Sequence, residues 1–524
     1  MPFSHISRLP QLKILMTGAL ASANFLNLVS LTTAQSLAPP IVQPPLAPVQ
    51  PVTSSADYCF TTSAQVTEKN RLRSAALNPD PAAKQRYRQY IYQSGQALLN
   101  CRQKSWLKTQ AIWIRMYPCD SKPGAVDELL DRMVEKGYNQ VYLATFYAGR
   151  VLLPQTSNPT TWPSVLDNTS VRNTDLLAEV IRKGRERGIK VYAWMYTLNF
   201  GSNYGLYPNH ESAFNINGRN EKSWFVGREG DQSPNAGGPN SILFVNPYSE
   251  QAKNDFNLML TEVLKRRPDG VLFDYIRYPR GQGTQSVAAT VKDLWIYSPD
   301  ARKGFEAMAQ NNKASELIKT FLTNGDVQAD EVTAIDASFP DEQEPRWIGR
   351  SARPTELKMT AQKRAELYNR ELWQLAVGYA GEGVVQFLSN ATALAQRYGV
   401  PAGAVFFPEG NNAVGKGYDS RLQRWNRFPR NMEWHPMAYA ICGQSKCIED
   451  QVTKMLKAAS ISGTPVIPAL AGAWGRTFEN RPSLEAQMDG IHRSSPGLNA
   501  ISHFSYSWQE PASDSIRSSC RLLR

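Results

Sequence analysis

Eight short apolar runs, several of them separated by longer stretches of helical periodicity, constrain this chain more than any other feature. They are AIWIRMY (111–117), NQVYLATF (139–146), KVYAWMYT (190–197), GVLFDYI (270–276), AVFFPEG (404–410), WHPMAYA (434–440), PVIPALAG (465–472) and SHFSYSW (502–508). Between them, apolar residues recur at spacings of three to four, as in Ala125, Leu129 and Met133, or Leu176 and Val180. The stretch 250–264 repeats the pattern, and 361–398 is the longest helical region. Short buried strands alternating with helices predict parallel βα units. Eight of them predict an α/β fold, a (β/α)8 TIM-type barrel with long loop insertions and a small helical N-terminal preface. A doubly wound sheet is the competing arrangement, but no GxGxxG follows an early strand. The insertions at 198–247 and 281–360 are long enough to shape a cleft at the C-terminal face of such a barrel.

The flanks read differently. Residues 1–34 carry Arg8 and Lys13, no acid, an apolar stretch from Ile14 to Leu31, and small residues at Thr32-Thr33-Ala34. This is the pattern of a signal peptide. An uncleaved membrane anchor is the alternative, weakened by Asn24, Asn27 and the lack of a following stop-transfer charge. Residues 35–56 form a Pro-rich linker, and 57–107 a helical extension with Tyr87, Tyr90, Ile91 and Leu98 at helical spacing. The barrel is expected over 108–510, with a C-terminal tail at 511–524. The expected location is outside the cytoplasm, periplasmic or extracellular, with no stable membrane insertion once the signal is removed.

An oxidising compartment makes the six cysteines candidates for disulfides. Cys442 and Cys447 allow a local loop bridge; Cys59, Cys101, Cys119 and Cys520 allow two more, with the pairing open. A zinc site is the weaker reading, because no CxxC occurs and the chain holds five His. No metal and no cofactor are expected. The chain carries 58 Lys+Arg against 46 Asp+Glu, a formal charge of +12 without a long basic run. That diffuse balance argues against a nucleic-acid partner and suits either anionic glycans or simple solubility.

Side chains at the C-terminal ends of barrel strands share one mouth, so ionisable residues there are the candidates for chemistry. Asp274 closes the fourth run, and Leu272 and Asp274 share one face of a period-two strand. Glu409 follows the fifth run. Two carboxyl groups on adjacent strands can flank a glycosidic bond, one as acid and one as nucleophile or base. Should Glu409 lie outside the cleft, Glu433 or Asp419 is the next carboxyl to consider. Arg115, mid-strand on the face of Trp113 and Tyr117, could hold a carboxylate ionised and donate to a sugar hydroxyl, or form a structural ion pair. Tyr147, Arg150, Tyr196, Asn246, Arg277, Tyr439, Trp474 and Trp508 fall near strand ends or long loops and complete the candidate substrate-binding set.

Three segments carry a family resemblance. Gly137-Tyr138-Asn139-Gln140-Val141-Tyr142, with Tyr147-Ala148-Gly149-Arg150 and Leu153-Pro154 behind it, resembles a second-strand block. Phe244-Val245-Asn246-Pro247 resembles an "LNP" turn, and the stretch from Arg267 through Asp274 to Pro279 resembles the signature "DGIHFDDYRYP". Pro436-Met437-Ala438-Tyr439 is similar to a later "PQxY" element. Together these segments are similar to the glycosyl-hydrolase-like family 10 domain of bacterial envelope and secreted proteins, over roughly residues 108–510. Tyr275 departs from the signature, standing where a second Asp is common, so the resemblance supplies no second acid.

The resemblance implies an exported glycoside hydrolase acting on an envelope or extracellular polysaccharide, peptidoglycan glycan strands among them, with Asp274 as nucleophile or base. Glu409 as general acid rests on barrel geometry alone. The alternative is a non-catalytic carbohydrate-binding envelope protein on a degenerate hydrolase barrel. A metal-dependent hydrolase is a third and weaker reading.

Overall fold

The structure is a computed structural model and describes residues 58–223, 242–353, 355–520 and 522. The expected signal segment 1–34 and expected linker 35–56 lie outside the described residues, as do residues 224–241 of the long excursion. Two helices come first: α1 (Ser63–Ala76), opened by a Thr62 capping box, and α2 (Pro81–Lys104), with Asp80 as N-cap and proline at its first position.

Eight parallel strands then alternate with helices. They are β1 (Thr109–Ile114), β2 (Gln140–Tyr147), β3 (Lys190–Tyr196), β4 (Gly270–Asp274), β5 (Ala402–Phe406), β6 (Glu433–Ala438), β7 (Ala469–Ala471) and β8 (Ala500–Phe504). Each pairs with its sequence neighbour, and β1 pairs with both β2 and β8, so the sheet closes on itself. The fold is a (β/α)8 TIM-type barrel, and all eight apolar runs contribute a strand to it. The helices used below are α3 (Ala125–Glu135), α4 (Leu176–Glu186), α5 (Glu250–Leu264), α6 (Ala361–Arg397), α7 (Lys446–Ser460) and α8 (Pro511–Ser519); the 281–360 insertion contains three more, at 299–306, 312–324 and 329–338.

The lumen is filled by aromatic side chains on alternate positions. Trp113 packs edge-on against Tyr142 (4.7 Å) and Trp194 (4.9 Å), and its indole N–H donates to Ser502 Oγ at 3.1 Å. Below this layer Glu433, at the N-terminal end of β6, accepts from Tyr192 (3.3 Å) and contacts His435 (3.2 Å). Gly403 faces the same layer because nothing larger fits: a Cβ there would lie 2.6 Å from both His435 Nε2 and Leu272 Cδ2.

The N-terminal helices dock on the barrel through a buried ionic network. Arg187 donates to Asp131 (2.8 Å), Asp127 (2.9 Å) and the Tyr87 hydroxyl (3.0 Å), and Tyr87 donates to Asp131 at 2.7 Å. Three disulfides are formed: Cys59–Cys101, Cys119–Cys520 and Cys442–Cys447. The local bridge allowed by spacing is therefore present, and the four remaining cysteines pair within the preface and between β1's exit and the tail. Among the described residues no helix is long and apolar enough to cross a membrane.

Candidate active site

The C-terminal ends of β1, β3, β4 and β8 bring a cluster of aromatic and charged side chains together. Asp274 is the last residue of β4 and is 8% exposed. Its Oδ2 accepts from Trp194 Nε1 at 3.0 Å, and its Oδ1 accepts from the Tyr275 backbone N–H at 2.6 Å. The register of β3 against β4, with Tyr196 beside Asp274 and Trp194 beside Leu272, sets this geometry. The Tyr275 backbone has a φ of 53°, in the left-handed region. For a non-glycine residue that conformation costs about 1–2 kcal/mol. The reversal lays the Tyr275 ring on that of Tyr196, with centroids 4.2 Å apart. The Arg277 guanidinium lies 4.8 Å from the Tyr275 ring centroid and 5.3 Å from that of Phe244.

Arg115 joins this group from β1. It lies just past the end of that strand and not within it, because β1 stops at Ile114. The guanidinium donates to the Tyr196 hydroxyl at 3.3 Å and sits 5.1 Å from the Tyr147 ring centroid and 5.6 Å from that of Trp194. Burial first, with the Asp274 charge adding and Arg115 opposing, pushes the Tyr196 phenol up to about 12. Burial and Asp274 likewise push Tyr439 well above the ordinary phenol range. Both hydroxyls are therefore protonated donors at neutral pH. Tyr439 packs on Phe504 (5.8 Å), and Phe504 on Trp508 (5.3 Å), carrying the aromatic wall round to β8.

The remaining candidates are placed elsewhere. Glu409 stands three residues beyond β5, in a turn closed by Gly410 N–H on the Phe407 carbonyl at 2.9 Å. Pro408 cannot continue the ladder, and the turn carries Glu409 to α7, where Gln451 donates to it at 2.6 Å. Asn246 is fully buried, and its side chain accepts from Tyr248 N–H at 3.1 Å in the turn that leads to the Ser249 cap of α5. Trp474 lies in the layer outside the strands, donating to Tyr138 at 3.1 Å and packing on His503. Arg150 is half-buried on the short strand that folds back on β2, donating to the Ser164 carbonyl at 3.1 Å.

Of the reserve carboxyls, Glu433 sits at the opposite end of the barrel from Asp274. Burial alone would raise its pKa, but hydrogen bonds from His435 and Tyr192 hold it below the ordinary carboxylate value. Asp419 is tied to Arg421 by two charge-assisted bonds, one to each carboxylate oxygen.

Two members of the cluster carry no strand-end signal. Trp194 is visible in the third run, two positions from Tyr196, yet aromatic alternation alone does not mark a carboxylate partner. Asp514, on α8, lines a cavity with Trp113, Arg115, Tyr117, Trp194 and Phe504. It lies in the segment expected to be a tail, and no local pattern ties that segment to the mouth.

No family model matches this chain, and no curated protein matches it. Among solved structures it is similar to the PgaB (BpsB) glycoside hydrolase domain from Bordetella bronchiseptica, at 14% identity and a TM-score of 0.45, over 79% of this chain and 99% of that one. It is also similar to a β-N-acetylhexosaminidase from Bacteroides fragilis, at 11% identity and a TM-score of 0.40, over 77% of this chain and 61% of that one. A GH18 chitinase from Pseudoalteromonas aurantia aligns at 9% identity and a TM-score of 0.34, over 78% of this chain and 99% of that one.

Proposed function

We propose that this chain is an exported glycoside hydrolase that cleaves an envelope or extracellular polysaccharide, with Asp274 as nucleophile or base. The observation that carries the reading is Asp274 itself, a carboxylate at the top of a barrel strand with an N–H donor on each oxygen. Those donors fix the orientation of the carboxylate at the strand end, where a base or nucleophile would stand. Around it, the half-buried Tyr439, Phe504 and Trp508 supply flat apolar faces of the kind sugar rings stack against. Arg115 Nε is buried with no hydrogen-bond partner among the described residues, a donor available to a sugar hydroxyl. The segments resembling a glycosyl-hydrolase-like family 10 domain support the same chemistry, and the three disulfides suit an oxidising compartment outside the cytoplasm.

Hydrolysis of a glycosidic bond needs a carboxylate at the anomeric carbon and an acid at the departing oxygen. Asp274 meets the first need. In the retaining course its oxygen bonds to C1 as the C1–O bond breaks, and water later displaces it. In the inverting course it takes a proton from the water that attacks C1. The purified protein, incubated with peptidoglycan sacculi and a panel of polysaccharides, should release new reducing ends, and Asp274→Asn should abolish that release. Undiminished turnover in the Asp274→Asn protein overturns the assignment.

One observation favours the alternative of a carbohydrate-binding protein on a degenerate barrel: Glu409, the acid expected on the neighbouring strand, is engaged with Gln451. Polysaccharide retention with no reducing ends over long incubation would establish that reading.

A further inference from the structure

The mouth contains a second carboxyl, supplied from a different part of the chain. Helix α8 is held across the exit of β1 by Arg517, whose guanidinium is bidentate to buried Asp120 and also donates to the Arg115 carbonyl. The two bonds to Asp120 are each 2.8 Å long, and the bond to the Arg115 carbonyl is 2.7 Å. The same guanidinium lies between the rings of Tyr117 (5.2 Å) and Tyr506 (5.1 Å). The Cys119–Cys520 disulfide fastens the helix at its end. One turn before Arg517, Asp514 projects into the cavity lined by Arg115, Trp194 and Phe504. The space there is about 20 Å³ for water-sized occupants, enough for a water molecule. Trp194 is common to both carboxyls: its Nε1 holds Asp274, and its side chain lines the Asp514 cavity.

We infer that Asp514 is the general acid of the mouth, protonating the departing glycosidic oxygen while Asp274 serves the anomeric carbon. The inference rests on the glycosidase reading above. The step balances simply. Asp514 gives its proton to the bridging oxygen as the C1–O bond breaks and its electron pair stays with that oxygen. Water supplies the hydroxyl that ends on C1, and its remaining proton restores a carboxyl.

The charged and titratable groups facing Asp514 are Arg517, 3.3 Å from Oδ1, Tyr117, whose hydroxyl donates to Oδ2 at 3.2 Å, Arg115 and Asp120. Burial raises the Asp514 pKa, and the nearby Asp120 adds to it; together they outweigh Arg517, Tyr117 and Arg115, which pull it down. An acid must hold its proton at the working pH, so the balance is of the required sign.

The test compares full-length wild type, Asp514→Asn and Asp274→Asn on a cleaved polysaccharide and on the 2,4-dinitrophenyl glycoside of the same sugar, whose leaving group needs no proton. Asp514→Asn should lose about 10²- to 10⁴-fold on the polysaccharide, stay within about tenfold of wild type on the dinitrophenyl glycoside, and lose the alkaline limb of the kcat/KM profile. Asp274→Asn should fail on both substrates. Polysaccharide turnover within about threefold of wild type in Asp514→Asn, or equal losses on both substrates, overturns the inference while leaving Asp274 and the glycosidase reading standing. A wild-type protein that cleaves no glycan overturns both. If Asp514→Asn does not fold, Asp514→Glu replaces it: a folded Glu variant with partial polysaccharide activity supports the acid, and one inactive on polysaccharide but active on the dinitrophenyl glycoside shows that the proton donor has been misplaced, which supports it equally. Equal loss on both in that variant overturns the inference.

Discussion

The Trp194 indole N–H meets the Asp274 carboxylate at 3.0 Å across adjacent strands, joining the packed aromatic layer of the lumen directly to the residue proposed as nucleophile or base. Packing and chemistry therefore share one residue. A hydrogen bond to a charged group contributes about 1.5–3 kcal/mol, so Trp194→Phe should lower kcat/KM roughly 10- to 150-fold. Its stability should fall by a similar amount, because the buried Asp274 oxygen loses a donor even though most of the ring contact is kept. Steady-state kinetics beside a chemical melt separate the two effects.

Glu409→Gln should behave in the opposite manner, because its carboxylate is occupied by Gln451 on α7. The variant is expected to lose about 0.5–1.5 kcal/mol of stability and little turnover. A loss of a hundredfold in turnover with an unchanged melt would return Glu409 to the mechanism.

Arg187→Met should be among the most damaging single changes in the molecule. The Arg187 side chain is fully buried between Asp127, Asp131 and Tyr87, and removing it takes the buried cation from two carboxylates that then rely on Lys183, Lys69 and Arg73. Breaking a buried pair from one side costs about 3–5 kcal/mol. Urea unfolding should show that loss, and a cost below about 1 kcal/mol would mean that the N-terminal helices are not anchored there.

His503 should make the protein acid-sensitive. Burial first, and Arg102 second, depress its imidazole from the ordinary 6.5 to about 3. The unfolded chain binds a proton as pH falls below about 6.5, whereas the folded chain does not until about 3. The folded state thus has the full benefit of this neutral residue above about 6.5 and loses it progressively as pH falls toward 3. The stability difference between pH 7 and pH 4 should be smaller in His503→Gln than in wild type; equal differences would remove His503 from the acid response.

What is legible in the chain beforehand is what is local. Strand and helix periodicities are short-range patterns, and the runs around Trp113, Tyr142, Trp194 and Leu272 all form barrel strands. Asp274 is readable because its position at the end of such a run fixes its face. Strand ends are harder. Arg115 lies past β1, and Glu409 is swung outward by the turn at Pro408, because run length does not say where the ladder stops. Asn246 and Trp474 share the residue types of sugar-binding sites, but type does not say that one is buried in a turn and the other packs outside the strands. Asp514 depends on a contact with Tyr117 across nearly the whole barrel sequence, and no periodicity records a pairing of that kind.

The Cys119–Cys520 bridge joins positions 401 residues apart, one just beyond β1 and the other beyond β8. Those two strands meet at the line where the cylinder is completed. A cylinder parted along one such line becomes a curled sheet with two raw borders, each ready to recruit a foreign strand. A covalent strap over that line keeps the first and last staves in register when the rest of the molecule loosens, and so guards the protein against the kind of partial opening that begins aggregation.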